Sequence, residues 1–157
     1  MKKEIKEFLR ESNAIEGVYD EISFGQAIQA WEYLMTQRKM TSGVVLKTHK
    51  ILMLHSNLQP DEKGYFRQCE VRIGFNFGLN YILIKEAMGN WCDKTMNARQ
   101  SAKKLHIEFE KIHPFIDGNG RVGRLMMNWT RIKKKQPIII VHTGKEQADY
   151  YRWFKQN

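Results

Sequence analysis

The sequence predicts a mainly α-helical domain carrying one short β-hairpin, on three observations. Apolar residues recur at helical spacing in most of the chain. One stretch, CEVRIGFNFG at 69–78, alternates instead, with Val71, Ile73, Phe75 and Phe77 in the two-residue period of a strand. Glycine and proline are sparse, 11 and 3 of 157 residues, and no repeat, linker or low-complexity tract divides the chain. It therefore reads as one domain, long enough to bury a core.

The elements follow in order. Residues 2–11 form a first helix with Ile5, Phe8 and Leu9 on one face. In SFGQAIQAWEYLMTQR (23–38), Ser23 is the expected N-cap, and Gln26 three residues later completes a capping box. Phe24, Ala27, Ile28, Trp31, Leu34 and Met35 then recur on one side. Thr41 or Ser42 caps a third helix through VVLKTHKILMLH, and NLQPDEKGYFRQ is turn chemistry set by Pro60 and Gly64. After the hairpin, helical patterns resume over 80–93 and 98–113, the second with Ala102, Leu105, Phe109 and Ile112 as its stripe. A further helix starts near Gly118 and reaches Lys134, and KEQADYYRWFK forms the last.

Composition narrows the function classes. No apolar run approaches the roughly 18–20 residues of a membrane span, and the basic N-terminus lacks the apolar core of a secretory signal. Cys69 and Cys92 lack zinc-type spacing and fit free thiols in a reducing compartment, with one disulfide as the alternative. The cytoplasm is the expected location. The net charge of +9 favours anionic partners: nucleic acid, nucleotide phosphates or an acidic protein surface. It does not choose among them. The densest basic run, RIKKKQP at 131–137, also suits a helix C-terminus, where cations complement the dipole.

The chemistry concentrates in HPFIDGNGRVGR, residues 113–124. Pro114 disfavours helical dihedrals at His113, so the preceding helix ends there. Gly118 and Gly120 lead into an apolar-periodic run, and glycine-rich backbone entering a helix presents convergent N–H groups to an anion. Arg121 and Arg124 stand about one turn apart and can both face that anion; the arginine fork matches phosphate oxygens. Asp117 precedes the nest, where a carboxylate can hold a magnesium ion that bridges phosphates. His113 is a candidate general base at the mouth. Each piece alone has a bland structural reading; their fixed spacing does not.

This stretch resembles the signature of the Fic family, His-x-Phe-x-(Asp/Glu)-Gly-Asn-Gly-Arg-x-x-Arg, at His113, Phe115, Asp117, Gly118, Asn119, Gly120, Arg121 and Arg124. GYFRQCEVRIG resembles the approach to the family's flap hairpin, and ADYYRWF resembles the tyrosine-bearing helix that closes on the nucleobase. The resemblance implies a Fic-fold domain over 1–157 and transfer of AMP from ATP to a target hydroxyl. His113 would be the general base, and Asp117 would hold Mg²⁺ on the α- and β-phosphates. Gly118, Asn119 and Gly120 would cradle phosphate oxygens, Arg121 would support their charge, and Arg124 would take the γ-phosphate. Phe115 would anchor the loop in the core. Val71, Arg72, Ile73 and Gly74 would lie over the nucleotide, and the edge of the 71–78 hairpin would pair with a target segment or with the protein's own chain. A plain two-stranded decoration is the alternative. Tyr150 and Tyr151 would pack near adenine or, equally, in the core. The chain ends soon after ADYYRWF, where the family often continues, so contacts on the adenine side are expected to be incomplete.

SNAIEG at 12–17 has two readings. Locally, Gly17 is a C′ glycine after a helix, and Ser12 and Glu16 are an i,i+4 pair. The segment also resembles the family's inhibitory motif, (Ser/Thr)-x-x-x-Glu-(Gly/Asn). That implies that a segment of about 1–17 sets Glu16 on Arg124 and blocks placement of the γ-phosphate. The expectation is thus an autoinhibited protein adenylyltransferase, with ATP as co-substrate and no membrane partner; a homo-oligomer is compatible. Two rivals remain open. One is the same loop using another nucleotide or removing AMP from a modified protein. The other is a non-catalytic nucleic-acid-binding module, whose contacts would spread over a face and weaken steeply with salt.

Overall fold

The computed structural model describes residues 1–155, and no helix among them is long and apolar enough to cross a membrane. Seven α-helices run α1 (Lys3–Ile15), α2 (Glu21–Met35), α3 (Ser42–Leu52), α4 (Ile84–Thr95), α5 (Ala102–Ile112), α6 (Asn119–Lys133) and α7 (Lys145–Arg152). Between α3 and α4 lie two strands, β1 (Arg72–Ile73) and β2 (Asn76–Phe77), and a 3₁₀ turn at Tyr81–Leu83. The mainly α class with one hairpin is what the sequence predicts.

Helix α6 is the axis of the domain. Every residue from Arg121 to Thr130 is buried, so this is not the one-sided helix of a surface position. It packs against α1, α2, α3 and α5, and Val122, Leu125, Met126 and Trp129 meet the apolar stripes of those neighbours. Ile5, Phe8 and Leu9 of α1, Trp31 and Leu34 of α2, and Leu105 and Phe109 of α5 are all core residues. Each large side chain buried in this way contributes roughly 1.5–3 kcal/mol. Because α6 is enclosed, Arg121 and Arg124 are buried with it, at 6% and 2% exposure.

Three local expectations need correction. Helix α2 begins two residues earlier than Ser23, because Asp20 is the cap: its carboxylate accepts from the Ser23 N–H at 2.7 Å. An aspartate there also complements the helix dipole, an advantage serine lacks. Helix α1 runs on past residue 11 to Ile15, with Glu16 as C-cap and Gly17 in the left-handed region at φ 71°. Ser12 is therefore inside a helix. Finally, the alternation in 69–78 marks strands but no buried face. Antiparallel β1 and β2 pair Arg72 with Phe77 and Ile73 with Asn76 around the turn residues Gly74 and Phe75. Gly74, at φ 60°, makes that turn, and Phe75 projects from it fully exposed.

Candidate active site

The loop between α5 and α6 is held from all sides. Helix α5 does end at His113, yet His113 takes the left-handed conformation (φ 49°, ψ 62°) rather than the extended one favoured before proline. Such backbone costs of order 1–3 kcal/mol and persists only where its surroundings enforce it. Here the enforcement is visible. Phe115 is fully buried and stacks on His49, with ring centroids 3.8 Å apart. The Asn119 amide clasps the Phe115 backbone twice, accepting from its N–H and donating to its carbonyl, both at 2.9 Å. His49 Nδ1 accepts the Gly64 N–H at 2.9 Å, which leaves Nε2–H to donate to the Asp117 carbonyl at 2.9 Å. Burial pushes His49 down to about 4, so this neutral tautomer is stable.

His113 therefore stands in a fixed place. Its Nδ1 lies 3.3 Å from the Glu110 carbonyl and 3.7 Å from a Glu110 carboxylate oxygen. Donation from Nδ1–H to that carbonyl leaves Nε2 with a lone pair, which is what a general base needs. Burial works against a charged Glu110, but His113, His106 and Arg124 outweigh it and hold the carboxyl below its ordinary value. Asp117 is exposed, and one of its oxygens accepts the Gly118 N–H at 2.6 Å. Gly118 (φ 84°) then turns the chain into α6.

The start of α6 offers N–H groups and two buried guanidinium groups. Arg121 has poor partners: Nη2 lies 3.1 Å from the Met53 thioether, and Nε is buried without a hydrogen bond. Burial lowers its affinity for its proton, with partial relief from the Asp117 and Glu16 charges. Arg124 uses four of its five N–H groups. Its Nε donates to Ser12 Oγ at 2.9 Å, and Nη2 donates to the Ser12 carbonyl at 2.9 Å and to Glu16 Oε1 at 2.7 Å. Its Nη1 donates to the Tyr150 hydroxyl at 3.1 Å. The Glu16 carboxylate rests against the first turn of α6, so closely that a Cβ on Gly120 would lie 2.4 Å from it.

Most of the expected site residues meet here. Ser12, Glu16, Asp117, Gly118, Gly120, Arg121 and Arg124 cluster at the start of α6, and His113 opens beside them. The base of the hairpin adjoins His113: a Cβ on Gly78 would be 3.3 Å from Val71 Cγ2 and 3.4 Å from His113 Cβ. Arg72, Ile73 and Gly74 extend outward from that base, and Arg72 covers the Phe77 ring. The Asn119 side-chain amide is spent on Phe115, which leaves its backbone N–H for the nest. Tyr150 is a correction. It is 2% exposed, packs against Trp153 and Phe154, and bonds Arg124 and His106 Nε2 (2.8 Å) through its hydroxyl. It fills the core instead of lining an adenine site. Tyr151 is exposed and shares a hydrogen bond with Gln147 on α7 itself.

Two residues escaped the sequence reading, His49 and Arg67. His49 sits between Val45 and Leu52 on the apolar face of α3, and a polar ring on a core stripe signals a satisfied partner elsewhere. Arg67, in the turn before the hairpin, carries no such signal.

Comparison with known proteins identifies the family. Residues 39–130 match the model of the Fic/DOC family, which is more than half the chain. The chain belongs to the Fic/DOC family. Helices α1, α2 and α7 lie outside the matched segment. Among curated relatives, the protein adenylyltransferase Fic of Drosophila erecta is 29% identical over 129 residues, covering 78% of this chain and 26% of that one. Its Drosophila melanogaster counterpart is 28% identical over 118 residues, covering 71% and 23%. The Fic chain described here thus spans about a quarter of the length of those relatives. A Fic domain-containing signaling protein from Bacteroides thetaiotaomicron shares the fold at TM-score 0.80 and 18% identity, over 98% of this chain and 71% of that one. A Fic family protein from Desulfovibrio desulfuricans does so at TM-score 0.73 and 22% identity, over 96% and 54%.

Proposed function

We propose that this chain is a protein adenylyltransferase, a single Fic domain over 1–157 that moves AMP from ATP to a Ser, Thr or Tyr hydroxyl. The observation that carries the reading is the pairing of a base with an anion site: His113, its Nε2 left free, beside a helix start where buried Arg121 has no carboxylate partner. Relatives named for that activity support it. In the step, the target oxygen attacks the α-phosphorus while His113 Nε2 takes its proton. The new O–P bond forms, the bond to the bridging oxygen breaks, and pyrophosphate leaves in line. Holding the reactants in that line accounts for much of the acceleration. The N–H groups of Asn119 and Gly120 and the Arg121 guanidinium bind phosphate oxygens as negative charge shifts, and Gly118, whose own N–H goes to Asp117, turns the chain into the cradle.

Asp117 is the residue for Mg²⁺, which when bound neutralises charge on the α- and β-phosphates. The donor set fits: magnesium takes one or two carboxylates and completes its shell from phosphates and water. No cluster of three or more His, Cys, Asp or Glu among the described residues offers a full protein cage. Glu16 keeps the enzyme inhibited by holding Arg124, which otherwise takes the γ-phosphate. The target docks along the 71–78 hairpin, and a second copy of the chain can serve as target. Free Cys69 and Cys92 support a cytoplasmic setting.

The test is label incorporation by the Glu16→Gly chain with α-labelled ATP, GTP, CTP and UTP, with and without Mg²⁺. Covalent label from ATP with Mg²⁺, absent in Glu16→Gly with His113→Ala, is expected. Label from another nucleotide would change the substrate assignment. Loss of AMP from a pre-modified protein, with no gain from any nucleotide, would overturn transfer in favour of removal.

A further inference from the structure

Arg67 is 2% exposed, yet no carboxylate among the described residues lies within ion-pair distance of it. Burial lowers its affinity for its proton. A charge in that position needs dipoles in its place, and all of Arg67's partners are backbone carbonyls. Its Nε donates to the His113 carbonyl at 2.7 Å, and Nη1 donates to the Cys69 carbonyl at 2.6 Å. Its Nη2 donates to the carbonyls of Leu79 and, at 3.3 Å, Ile112. The Arg67 N–H itself donates to the Pro114 carbonyl at 2.9 Å.

These carbonyls fall into two groups. Cys69 and Leu79 flank the hairpin, one on each arm. Ile112, His113 and Pro114 are the end of α5 and the start of the loop. The α5 carbonyls would otherwise lack helical donors, and a cation at that end also meets the negative pole of the dipole. One planar group therefore fixes both hairpin arms against the backbone of His113. The returning arm passes so close that a Cβ on Gly78 would lie 2.8 Å from Arg67 Nη2.

We infer that Arg67 is a positioning residue, which sets the register between the hairpin that presents the target hydroxyl and the histidine that deprotonates it. The inference rests on the proposed transfer reaction and adds to it the part that aligns target with base. Lysine keeps the charge but cannot donate in these divergent in-plane directions. Arg67→Lys should shift His113 relative to the hairpin. A misplacement of about 1 Å costs on the order of 10²-fold in rate.

The experiment compares Arg67→Lys, Gly78→Ala and, as a control, Gly89→Ala, whose Cβ meets nothing within 4 Å. All are made in the Glu16→Gly background and compared at matched folding. Two readouts are taken. One is transfer, as kcat for a protein target against the affinity for Mg·ATP. The other needs no reaction: nitrogen shifts of the His113 ring and amide exchange at Gly78 and Leu79, with His49 as internal reference. Expected are a kcat loss of tenfold to a hundredfold in Arg67→Lys and Gly78→Ala, with nucleotide affinity unchanged. Altered His113 shifts and faster exchange at Gly78 and Leu79 should accompany it, with His49 and Gly89→Ala unaffected. Unchanged His113 shifts and protection in both variants would overturn the inference. So would wild-type kcat in either folded variant. If the parent incorporates no label, the transfer reading fails, and the ring and exchange data still decide whether Arg67 holds the register. If Arg67→Lys does not fold, Gly78→Ala decides both.

Discussion

Arg121 and Arg124 stand one turn apart on α6, equally enclosed, in opposite states of satisfaction. Arg124 makes four hydrogen bonds, one to a carboxylate; Arg121 makes contact with a thioether and leaves Nε without an acceptor. A buried charge without a partner costs stability unless something compensates it. The difference shows how the two arginines divide the site. The chain supplies its own anion, the Glu16 carboxylate, to Arg124 and none to Arg121.

The largest effect should come from removing what both arginines serve. In the Glu16→Gly background, His113→Ala should lower transfer on the order of 10²–10⁴-fold with Mg·ATP binding nearly unchanged, measured by label incorporation and calorimetry. Near-parental transfer would separate the arginines from any base at His113.

Making Arg124 resemble Arg121 comes next. Glu16→Gly removes the carboxylate and should raise label incorporation by on the order of 10²-fold, the effect of correcting a misplacement of about 1 Å. Arg124→Ala should give no such rise, because the phosphate partner is lost together with the inhibitor's anchor. Equal gains in the two variants would assign inhibition to bulk at the site rather than to a contest for Arg124.

Stability sharpens the contrast further. Arg124→Met leaves Ser12, Glu16 and the Tyr150 hydroxyl without their donor. It should cost about 2–3 kcal/mol, less than the roughly 3–5 of a fully buried pair because Glu16 still reaches water. Arg121→Met abandons no acceptor and should change stability by less than about 1 kcal/mol. Denaturant midpoints of the free chains measure both, and similar losses would mean that Arg121 has partners of equal worth.

Much of this was legible because it is local or carried by a motif. The order of elements, the loop and a cap at Thr41 or Ser42 follow from residue types at fixed spacing, and the meeting of Glu16 with Arg124 across 108 positions is what the resemblance of SNAIEG to the family's inhibitory motif implies. The parts that were not legible depend on which carbonyls and rings the fold brings together. Tyr150 reads equally as a nucleobase contact or a core aromatic, and only the fold shows that its hydroxyl joins the shell around Arg124 in the core. Arg67 reads as one cation in a turn of mixed charge, because its partners are backbone groups of any residue type. Ser23 reads as a cap, but Asp20 takes the place three residues earlier. Phe75 and Phe77 show that alternation reports the strand and says nothing of whether either face is covered.

The smallest expected effect concerns how the carboxylate that separates the two arginines is kept in place. Helix α1 carries Glu16, and its far side is tied to the segment before α7 by His142. Its Nε2 lies 3.0 Å from Glu7, its Nδ1 lies 2.8 Å from Glu146, and Glu11 accepts the Thr143 N–H at 3.3 Å. Hydrogen bonds to Glu7 and Glu146 push His142 up to about 9, above the ordinary value of 6.5. A group whose folded value is raised contributes fully below its unfolded value and loses that contribution as pH climbs through the folded one. The contribution is therefore complete below about 6.5 and falls away towards pH 9. The cluster is exposed, so salt screens it and its worth is small. Melting temperatures at low ionic strength should fall more between pH 6.5 and 9 in the parent chain than in His142→Gln. The difference should shrink in 0.5 M salt, and basal labelling should rise slightly over the same interval in the parent alone. Parallel pH curves for the two proteins would remove His142 from the restraint on α1 and leave its core packing and the contacts of Ser12 and Glu16 with Arg124 to hold the helix.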